Sequence, residues 1–252
     1  MACRIRRTAE WTKRILDESE GKHSCFITLT YNEQCLPPDL SLNKSHLQKF
    51  WKRMRKTLTQ KIKYYACGEY GDLGQRPHYH AIVIGWKPKL ENIIFVNKNI
   101  ITCKELINLW KFGFSTVGTV TKESAQYVTG YIRKKIYGKK DFNPYHPRVP
   151  PFSCSSIGLG FEYAEKNWNR ILSGKGETVN GKNLGIPRYY LKKLASIEDK
   201  YKLIDNGLDK EYDIIKNYQT FEEYEKALWQ DRARRQADAI SLESLLSSRK
   251  KI

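Results

Sequence analysis

The chain has 252 residues, which suffices for one catalytic domain with an appendage and is too short to add a helicase or polymerase module. Its formal net charge is +18. No apolar stretch approaches the ~20 residues of a membrane span, and the start MACRIRRTAEW lacks the apolar core of a signal peptide. We therefore expect a cytosolic protein without a membrane partner.

The positive charge is concentrated in one part of the chain. Residues 1–190 hold 32 Lys and Arg against 15 Asp and Glu, whereas residues 191–252 hold 13 against 12. Such an excess is typical of polyanion binders, because neutralising phosphates releases condensed counterions. A ribosomal or merely soluble basic protein has the same overall charge, so this alternative stays open.

The six cysteines are widely spaced and form no CxxC pair. They are Cys3, Cys25, Cys35, Cys67, Cys103 and Cys154. This spacing indicates neither a disulfide framework nor a complete zinc site. We expect reduced, partly buried thiols.

Periodicity in the first 140 residues predicts alternating strands and helices. Runs rich in β-branched and aromatic residues predict strands over 24–31, 62–70, 78–86 and 114–120, with ENIIFVN as a further candidate. Apolar residues at helical spacing predict helices over 4–19, 43–58, 104–111 and 122–137, the second with a basic outer face. Thr121 is a candidate cap for the last helix and Gly138 its candidate end.

The remaining segments complete a predicted α+β fold. Residues 71–77 form a polar, glycine-bearing hairpin loop, and residues 141–160 are rich in Pro, Gly and Ser, which favours an ordered but irregular loop. From about residue 161 the pattern is mainly helical, with one glycine-rich break over 173–185. We predict an antiparallel sheet covered by helices on one face in residues 1–160, and a helical C-terminal region in 161–252.

Two histidines, His78 and His80, lie inside a predicted strand. Alternation places both imidazoles on one face and Tyr79 on the other. A neighbouring pair of neutral imidazoles is a natural set of ligands for a divalent metal. An HxH pattern alone is equally compatible with a surface or core role.

Glu69 ends the preceding predicted strand, nine positions before His78. A hairpin through residues 71–77 would bring its carboxylate beside the two histidines. Two histidines and one carboxylate suit Mn²⁺ or Mg²⁺ acting as a Lewis acid on a phosphate oxygen. The alternative for Glu69 is a hairpin-end residue that faces solvent.

Tyr127, Tyr131 and Lys134 share one face of the last predicted helix, at positions i, i+4 and i+7. A tyrosine that attacks a phosphodiester needs charge compensation and an oriented target, and a nearby lysine can supply either. Aromatic residues at helical spacing also form core stripes, and the pattern alone does not separate the two interpretations.

Three ordered motifs resemble those of the HUH endonucleases. They are FITLTY at 26–31, RPHYHAIVIG at 76–85 and YVTGYIRK at 127–134. The two-tyrosine form YxxxYxxK resembles that of rolling-circle initiators of microviruses, and CGEYG with the early EW is similar to the gokushovirus branch. The resemblance covers residues 3–137. A cysteine pair precedes the segment corresponding to ACRIRR in relatives of this branch, whereas this sequence has only Cys3 there, so either the sequence is truncated or this member has lost the pair.

The resemblance implies an HUH/RRM-like palm that nicks single-stranded origin DNA and keeps the 5′-phosphate on a tyrosine. It implies that His78, His80 and Glu69 bind Mn²⁺ or Mg²⁺. Tyr131 and Tyr127 would then be the nucleophiles, with Lys134 positioning the phosphate. The spacing YxxK makes Tyr131 the first choice for initial cleavage.

The resemblance also implies partners and a setting. The basic residues Arg76, Arg133 and Lys135 are candidate DNA contacts. Host DNA polymerase and helicase would be partners in the cytoplasm of a host bacterium. An HUH transposase or plasmid relaxase has the same chemistry. A non-catalytic nucleic-acid-binding module, with bases stacked on Phe26, Tyr31 and Tyr79, is the more distant alternative.

Overall fold

The computed structural model describes residues 2–71, 74–97, 100–130 and 145–173, together with 178–179, 182–183, 185–196 and the single positions 199, 230, 233 and 237. The chain divides into two compact units. One unit comprises residues 8–166, and the other comprises residues 1–7 and 167–252. The first unit holds every element of the predicted sheet.

An antiparallel sheet of seven strands forms the centre of the first unit. The strands are β1 Ser24–Tyr31, β2 Lys63–Tyr70, β3 Pro77–Ile84, β4 Ile93–Asn97, β5 Ile100–Cys103, β6 Gly113–Thr119 and β7 Phe152–Ser155. Their order across the sheet is β4-β5-β6-β1-β3-β2-β7. The predicted α+β class with an antiparallel sheet is confirmed.

The helices predicted over 4–19, 43–58 and 104–111 are found within two residues of those bounds, and the helix predicted over 122–137 begins at residue 122. Five described helices lie near the sheet. They are α1 Ala2–Ser19, α2 Lys44–Thr57, α3 Lys104–Leu109, α4 Lys122–Gly130 and α5 Phe161–Lys166. Asn43 caps α2 by accepting a hydrogen bond from the His46 amide, at 3.2 Å. The predicted cap Thr121 is confirmed, because its hydroxyl accepts from the Ser124 amide at 3.2 Å. The predicted helix end at Gly138 lies outside the described residues.

Helices cover both faces of the sheet, which corrects the prediction of one covered face. Apolar residues of α2 and α3 pack with odd-numbered residues of β1 and β3 in the larger core cluster. Ile15 of α1 and Ala125 and Val128 of α4 pack on the opposite face, with Tyr65 and Ile82. Both faces of β2 and β3 are therefore buried, and their sequences read as nearly continuous apolar runs.

Two strands of the seven-stranded sheet escaped the sequence prediction. β5 is short, and β7 lies in the segment predicted to be an irregular loop. β7 pairs with β2 through residues far away in sequence, with Cys154 opposite Ala66. The glycine-rich break also contains a two-stranded hairpin, β8 Thr178–Val179 and β9 Lys182–Asn183. The other described helices of the second unit are α6 Trp168–Leu172 and α7 Arg188–Leu194.

The predicted state of the cysteines is confirmed where the structure describes them. Cys25, Cys67 and Cys103 are buried reduced thiols, and Cys35 and Cys154 are half-buried reduced thiols. Burial raises the pKa of the Cys25 thiol to about 12. Within the described residues, no helix has the length and apolar character needed to cross a membrane.

A buried chain of hydrogen bonds fixes α2 to the sheet. The Tyr79 hydroxyl accepts from the Asn43 amide at 2.8 Å and donates to the Asn43 carbonyl at 3.0 Å. Because the Tyr79 proton is used in the bond to Asn43, the Tyr31 hydroxyl donates to the Tyr79 oxygen across 2.8 Å. His46 Nδ1 in turn donates to the Tyr31 oxygen across 2.9 Å. The strand that carries the two candidate histidines is thus held from its opposite face.

Tyr79→Phe is expected to lower the free energy of unfolding by about 1–3 kcal/mol. The change removes the hydroxyl and leaves buried polar groups of Asn43 without their partner, which costs their desolvation. Urea unfolding monitored by tryptophan fluorescence measures the effect. A change below about 0.5 kcal/mol, the level of an ordinary surface substitution, would contradict the role assigned to this network.

Candidate metal and nucleophile site

The β2–β3 hairpin brings Glu69 and the two histidines together. In the ladder Glu69 lies opposite His78, and Cys67 lies opposite His80. Both imidazoles lie on one face of the sheet, whereas Tyr79 packs into the core on the other face, as the alternation predicts. We call the face that carries His78 and His80 the site face.

One carboxylate oxygen contacts both imidazoles. Glu69 Oε1 lies 3.2 Å from His78 Nε2 and 3.0 Å from His80 Nε2. The Glu69 side chain is only 3% exposed, against 18% for His78. This burial excludes the alternative in which Glu69 faces solvent at the end of the hairpin.

Neighbouring groups orient the two imidazoles. The Arg76 carbonyl accepts a hydrogen bond from His78 Nδ1 at 3.0 Å, so the Nε2 of a neutral His78 keeps its lone pair. His80 Nδ1 lies 3.0 Å from the Thr28 hydroxyl. Burial lowers the pKa of His80, although Glu69 opposes the shift. A neutral imidazole with Nε2 aimed at the carboxylate is the form that ligates a metal.

The three side chains fit a divalent cation. Each of Glu69, His78 and His80 offers one ligand atom, and these atoms all lie within 4.8 Å of one another. One carboxylate oxygen and two imidazole nitrogens suit Mn²⁺ or Mg²⁺ with further positions left for water and phosphate. A buried carboxylate beside two imidazoles whose outer nitrogens are already oriented is the arrangement expected of such a site.

Tyr127 is the described member of the predicted tyrosine pair, and its hydroxyl reaches the same carboxylate. It donates a hydrogen bond to Glu69 Oε1 at 3.1 Å. Its ring meets His80 edge-on at 5.2 Å between centroids and is 39% exposed. The hydroxyl of Thr129 on α4 lies 2.8 Å from the hydroxyl of Thr12 on α1, and this contact links the two helices over the sheet. Tyr127 therefore belongs to the site and not to a core stripe.

The other predicted residues are placed less completely. Tyr131, Arg133, Lys134 and Lys135 lie outside the described residues. Arg76 is about one-third exposed and makes an ion pair with Glu33, while its other terminal nitrogen donates to the Tyr31 carbonyl at 2.9 Å. Tyr31 and Tyr79 are fully buried and cannot stack on bases, and Phe26 stacks on His80 at 5.5 Å.

Comparisons with known proteins point to one group. The family model described as replication-associated protein ORF2 matches residues 24–136. A replication-associated protein ORF2 of Spiroplasma virus 4 is 32% identical over 214 residues, covering 75% of this chain and 64% of that protein. A replication-associated protein ORF4 of Chlamydia phage 1 is 31% identical over 201 residues, covering 74% and 50%. The chain is similar to phage replication-associated proteins over about three quarters of its length.

A third replication-associated protein, VP4 of Bdellovibrio phage phiMH2K, is 30% identical over 203 residues, covering 75% of this chain and 63% of that protein. The chain thus spans between half and just under two thirds of the length of these curated relatives. No solved structure matches it. The family match begins at the first residue of β1 and includes Glu69, both histidines and Tyr127.

Thr28 is a site residue that sequence reasoning missed. Thr28 is an even-numbered residue of the strand segment FITLT, residues 26–30, and the ladder pairs it directly with His80. The only signal in the sequence is that alternation, because a threonine in a strand is ordinary. For His80 to ligate through Nε2, its Nδ1 must carry the proton and donate it to the Thr28 hydroxyl.

Thr28→Val is expected to weaken Mn²⁺ binding by the chain about 10–100-fold, as is usual for outer partners of ligating histidines. Valine keeps the shape of the side chain and removes the acceptor. Isothermal titration with Mn²⁺ measures the effect, with Thr116→Val on β6 as the matched control. Equal affinities for both variants would show that the Thr28 hydroxyl does not orient His80.

Proposed function

We propose that this chain is a replication initiator that nicks single-stranded origin DNA by metal-assisted transesterification. One observation carries the proposal: the Tyr127 hydroxyl donates to the same Glu69 oxygen that lies against both histidines. Glu69 Oε1 thus contacts a potential nucleophile and both histidine ligands, and the same carboxylate can act as the general base. The similarity to phage replication-associated proteins supports a role at a replication origin.

The chemistry follows from these groups. A Mn²⁺ or Mg²⁺ ion held by His78, His80 and Glu69 would polarise a phosphate oxygen as a Lewis acid. The tyrosine hydroxyl gives its proton to the Glu69 carboxylate, and its oxygen forms a bond to phosphorus. The bond from phosphorus to the 3′-oxygen breaks, and that oxygen takes up the proton. The products are a 5′-phosphotyrosine and a free 3′-hydroxyl.

Two tyrosines allow the reaction to run twice. Tyr131 stands three residues before Lys134 and is assigned the first cut, with Lys134 orienting the phosphate. Tyr127 is assigned the second cut, while the first tyrosine still holds the 5′ end. Transfer of that end to the new 3′-hydroxyl closes the circle and releases the tyrosine.

The proposed partners follow from the products. Host DNA polymerase extends the free 3′-hydroxyl, and a host helicase opens the duplex ahead of it. Arg76, Arg133 and Lys135 are proposed contacts to the strand. An HUH transposase or plasmid relaxase would cut by the same chemistry, and the two-tyrosine motif in the sequence favours replication.

Incubation of the full chain with single-stranded oligonucleotides and Mn²⁺ tests the proposal. A strand labelled at its 3′ end should become linked to protein in a band that survives denaturation. A strand labelled at its 5′ end should give a shorter free product. A non-catalytic binding module yields neither product, and a hydrolytic nuclease yields the short product without the protein-linked band.

Binding of single-stranded DNA is expected to weaken steeply as salt rises. Each contacted phosphate releases ~0.7 counterions on a single strand, so about five contacts give a log-log slope near −3.5. Fluorescence anisotropy with a labelled oligonucleotide in EDTA measures this slope. The salt concentration is varied from roughly 50 to 300 mM, where the affinity changes strongly with salt. A slope near zero would mean that the charge of residues 1–190 lies away from the DNA.

A further inference from the structure

The site face is open beside the two histidines. The helix α4 lies over β2 and β3. On the other side of β3, the site face continues over β1 and β6, where Phe114 is 67% exposed. Among the described residues it is the most exposed aromatic side chain of the sheet. The Phe114 ring is therefore accessible to a ligand on the site face.

Strand register ties Phe114 to the metal ligands. Thr30 of β1 pairs with His78 on one side and with Phe114 on the other. Directly paired residues of antiparallel strands project from the same face, so Phe114 lies on the site face. Two strand spacings separate the backbones of Phe114 and His78, which is roughly 10 Å. That span corresponds to about two nucleotides of single strand, since each nucleotide advances ~3.4 Å when stacked and more when extended.

The ring borders a pocket of about 540 Å³. The polar side chains around it are Thr30, Asn32, Glu33, Gln34 and Arg76. Pockets of roughly 300–1,000 Å³ are typical of small-molecule sites, so this pocket has room for a nucleobase. These polar side chains donate or accept hydrogen bonds, as the edges of nucleobases require. A pocket that combines one exposed aromatic ring with side chains that donate and accept hydrogen bonds can hold a nucleobase.

Backbone geometry holds the ring in place. Gly113 has a φ of +150° and lies so close to β1 that an added Cβ would stand 2.2 Å from the Asn32 amide nitrogen and 2.5 Å from the Thr30 carbonyl oxygen. Only glycine permits this approach. The Phe112 carbonyl also accepts from the Asn32 amide at 2.9 Å. Phe114 therefore starts from a backbone position that is fixed against the pocket.

We infer that Phe114 and this pocket form a nucleobase-binding site, in which a base of the single strand next to the phosphate at His78 and His80 stacks on the phenylalanine ring. The inference rests on the proposed function. Stacking on aromatic rings is the usual way in which proteins hold unpaired bases. The pocket would fix which phosphate lies at the histidines.

Binding and cutting are measured separately to test this site. In EDTA, which prevents metal-dependent cutting, anisotropy with fluorescein-labelled dT20 gives the affinity of the full chain. Phe114→Ala should weaken binding about tenfold, the loss expected for one stacked base, and Phe114→Trp should restore it. Ile157→Ala is the matched control, because Ile157 is an apolar side chain that is 98% exposed. Thermal unfolding should not change, since the Phe114 ring is mostly in solvent.

Cutting with Mn²⁺ supplies the second readout. On a mixed-sequence single strand, wild type should cut at a few preferred phosphates, and Phe114→Ala should spread the cuts over neighbouring ones. Wild-type affinity for dT20 in Phe114→Ala, or cuts that do not spread, would overturn the stacking site even if nicking stands. A wild-type chain that never cuts, but loses affinity on Phe114→Ala, would overturn the proposed function and leave the site. Absence of any binding by wild type would overturn both.

Discussion

The double variant Tyr127→Phe, Tyr131→Phe is expected to form no covalent adduct with single-stranded DNA. Each change deletes a hydroxyl and keeps the ring, so packing stays while the nucleophile disappears. Stability should be nearly unchanged, because Tyr127 is more than one-third exposed. Denaturing electrophoresis of a 3′-labelled strand after incubation with Mn²⁺ measures the adduct. Tyr189→Phe, a half-buried tyrosine of α7, is the matched control.

The single variants separate two nucleophiles from one. The sequence predicts a helix that includes both tyrosines, and residues four positions apart on a helix differ by ~6 Å in rise, so that helix would let both hydroxyls reach one phosphate with small shifts. Each single variant should still cut an oligonucleotide and should fail to release closed single-stranded circles. If Tyr127→Phe rejoins circles normally, Tyr127 serves only as a hydrogen-bond donor to Glu69, and Tyr131 is the sole nucleophile.

His78→Ala and His80→Ala are expected to lower the nicking rate by at least ~100-fold. Loss of a ligand removes Lewis-acid stabilisation worth several kcal/mol, and each 1.36 kcal/mol is about tenfold in rate. Binding to single-stranded DNA should remain largely intact, because phosphate contacts supply most of the affinity. Adding EDTA to the wild-type chain should reproduce the loss.

Two further variants serve as comparisons for the histidine variants. Glu69→Ala is expected to lower the nicking rate at least as far as either histidine variant, because it removes a metal ligand together with the base that accepts the tyrosine proton. His23→Ala removes a solvent-exposed histidine outside the site and should leave the nicking rate unchanged. A His78→Ala or His80→Ala variant that nicks at the normal rate in Mn²⁺ would show that these histidines do not bind the metal used in the reaction.

Local patterns carry most of what the sequence could predict. Alternation in PHYHAIVI separates the two imidazoles from Tyr79, and the polar loop before it brings Glu69 opposite His78. These features depend on residues close in sequence, where strand and turn preferences act directly. The three candidate metal ligands could therefore be predicted from local sequence patterns alone.

Long-range pairing explains what the sequence could not predict. β7 follows several prolines and pairs with β2 from more than 80 residues away, so its short run FSCS carries no signal of its own. Alternation likewise shows that Tyr31 and Tyr79 share a face and does not show that α2 covers that face. Phe114 was not predicted as a site residue, because a phenylalanine in a strand has the same sequence pattern as a core residue. Only the structure shows that the site face is open at this position.

Peptide mapping of the protein–DNA adduct by mass spectrometry tests the central claim most directly. The wild-type chain is incubated with a single strand and Mn²⁺, the adduct is digested with protease and nuclease, and the modified residue is identified. We predict a nucleotide joined through its 5′-phosphate to Tyr131 or Tyr127. Attachment to any other residue, attachment through a 3′-phosphate, or cut strands with free 5′-phosphates and no adduct would contradict it.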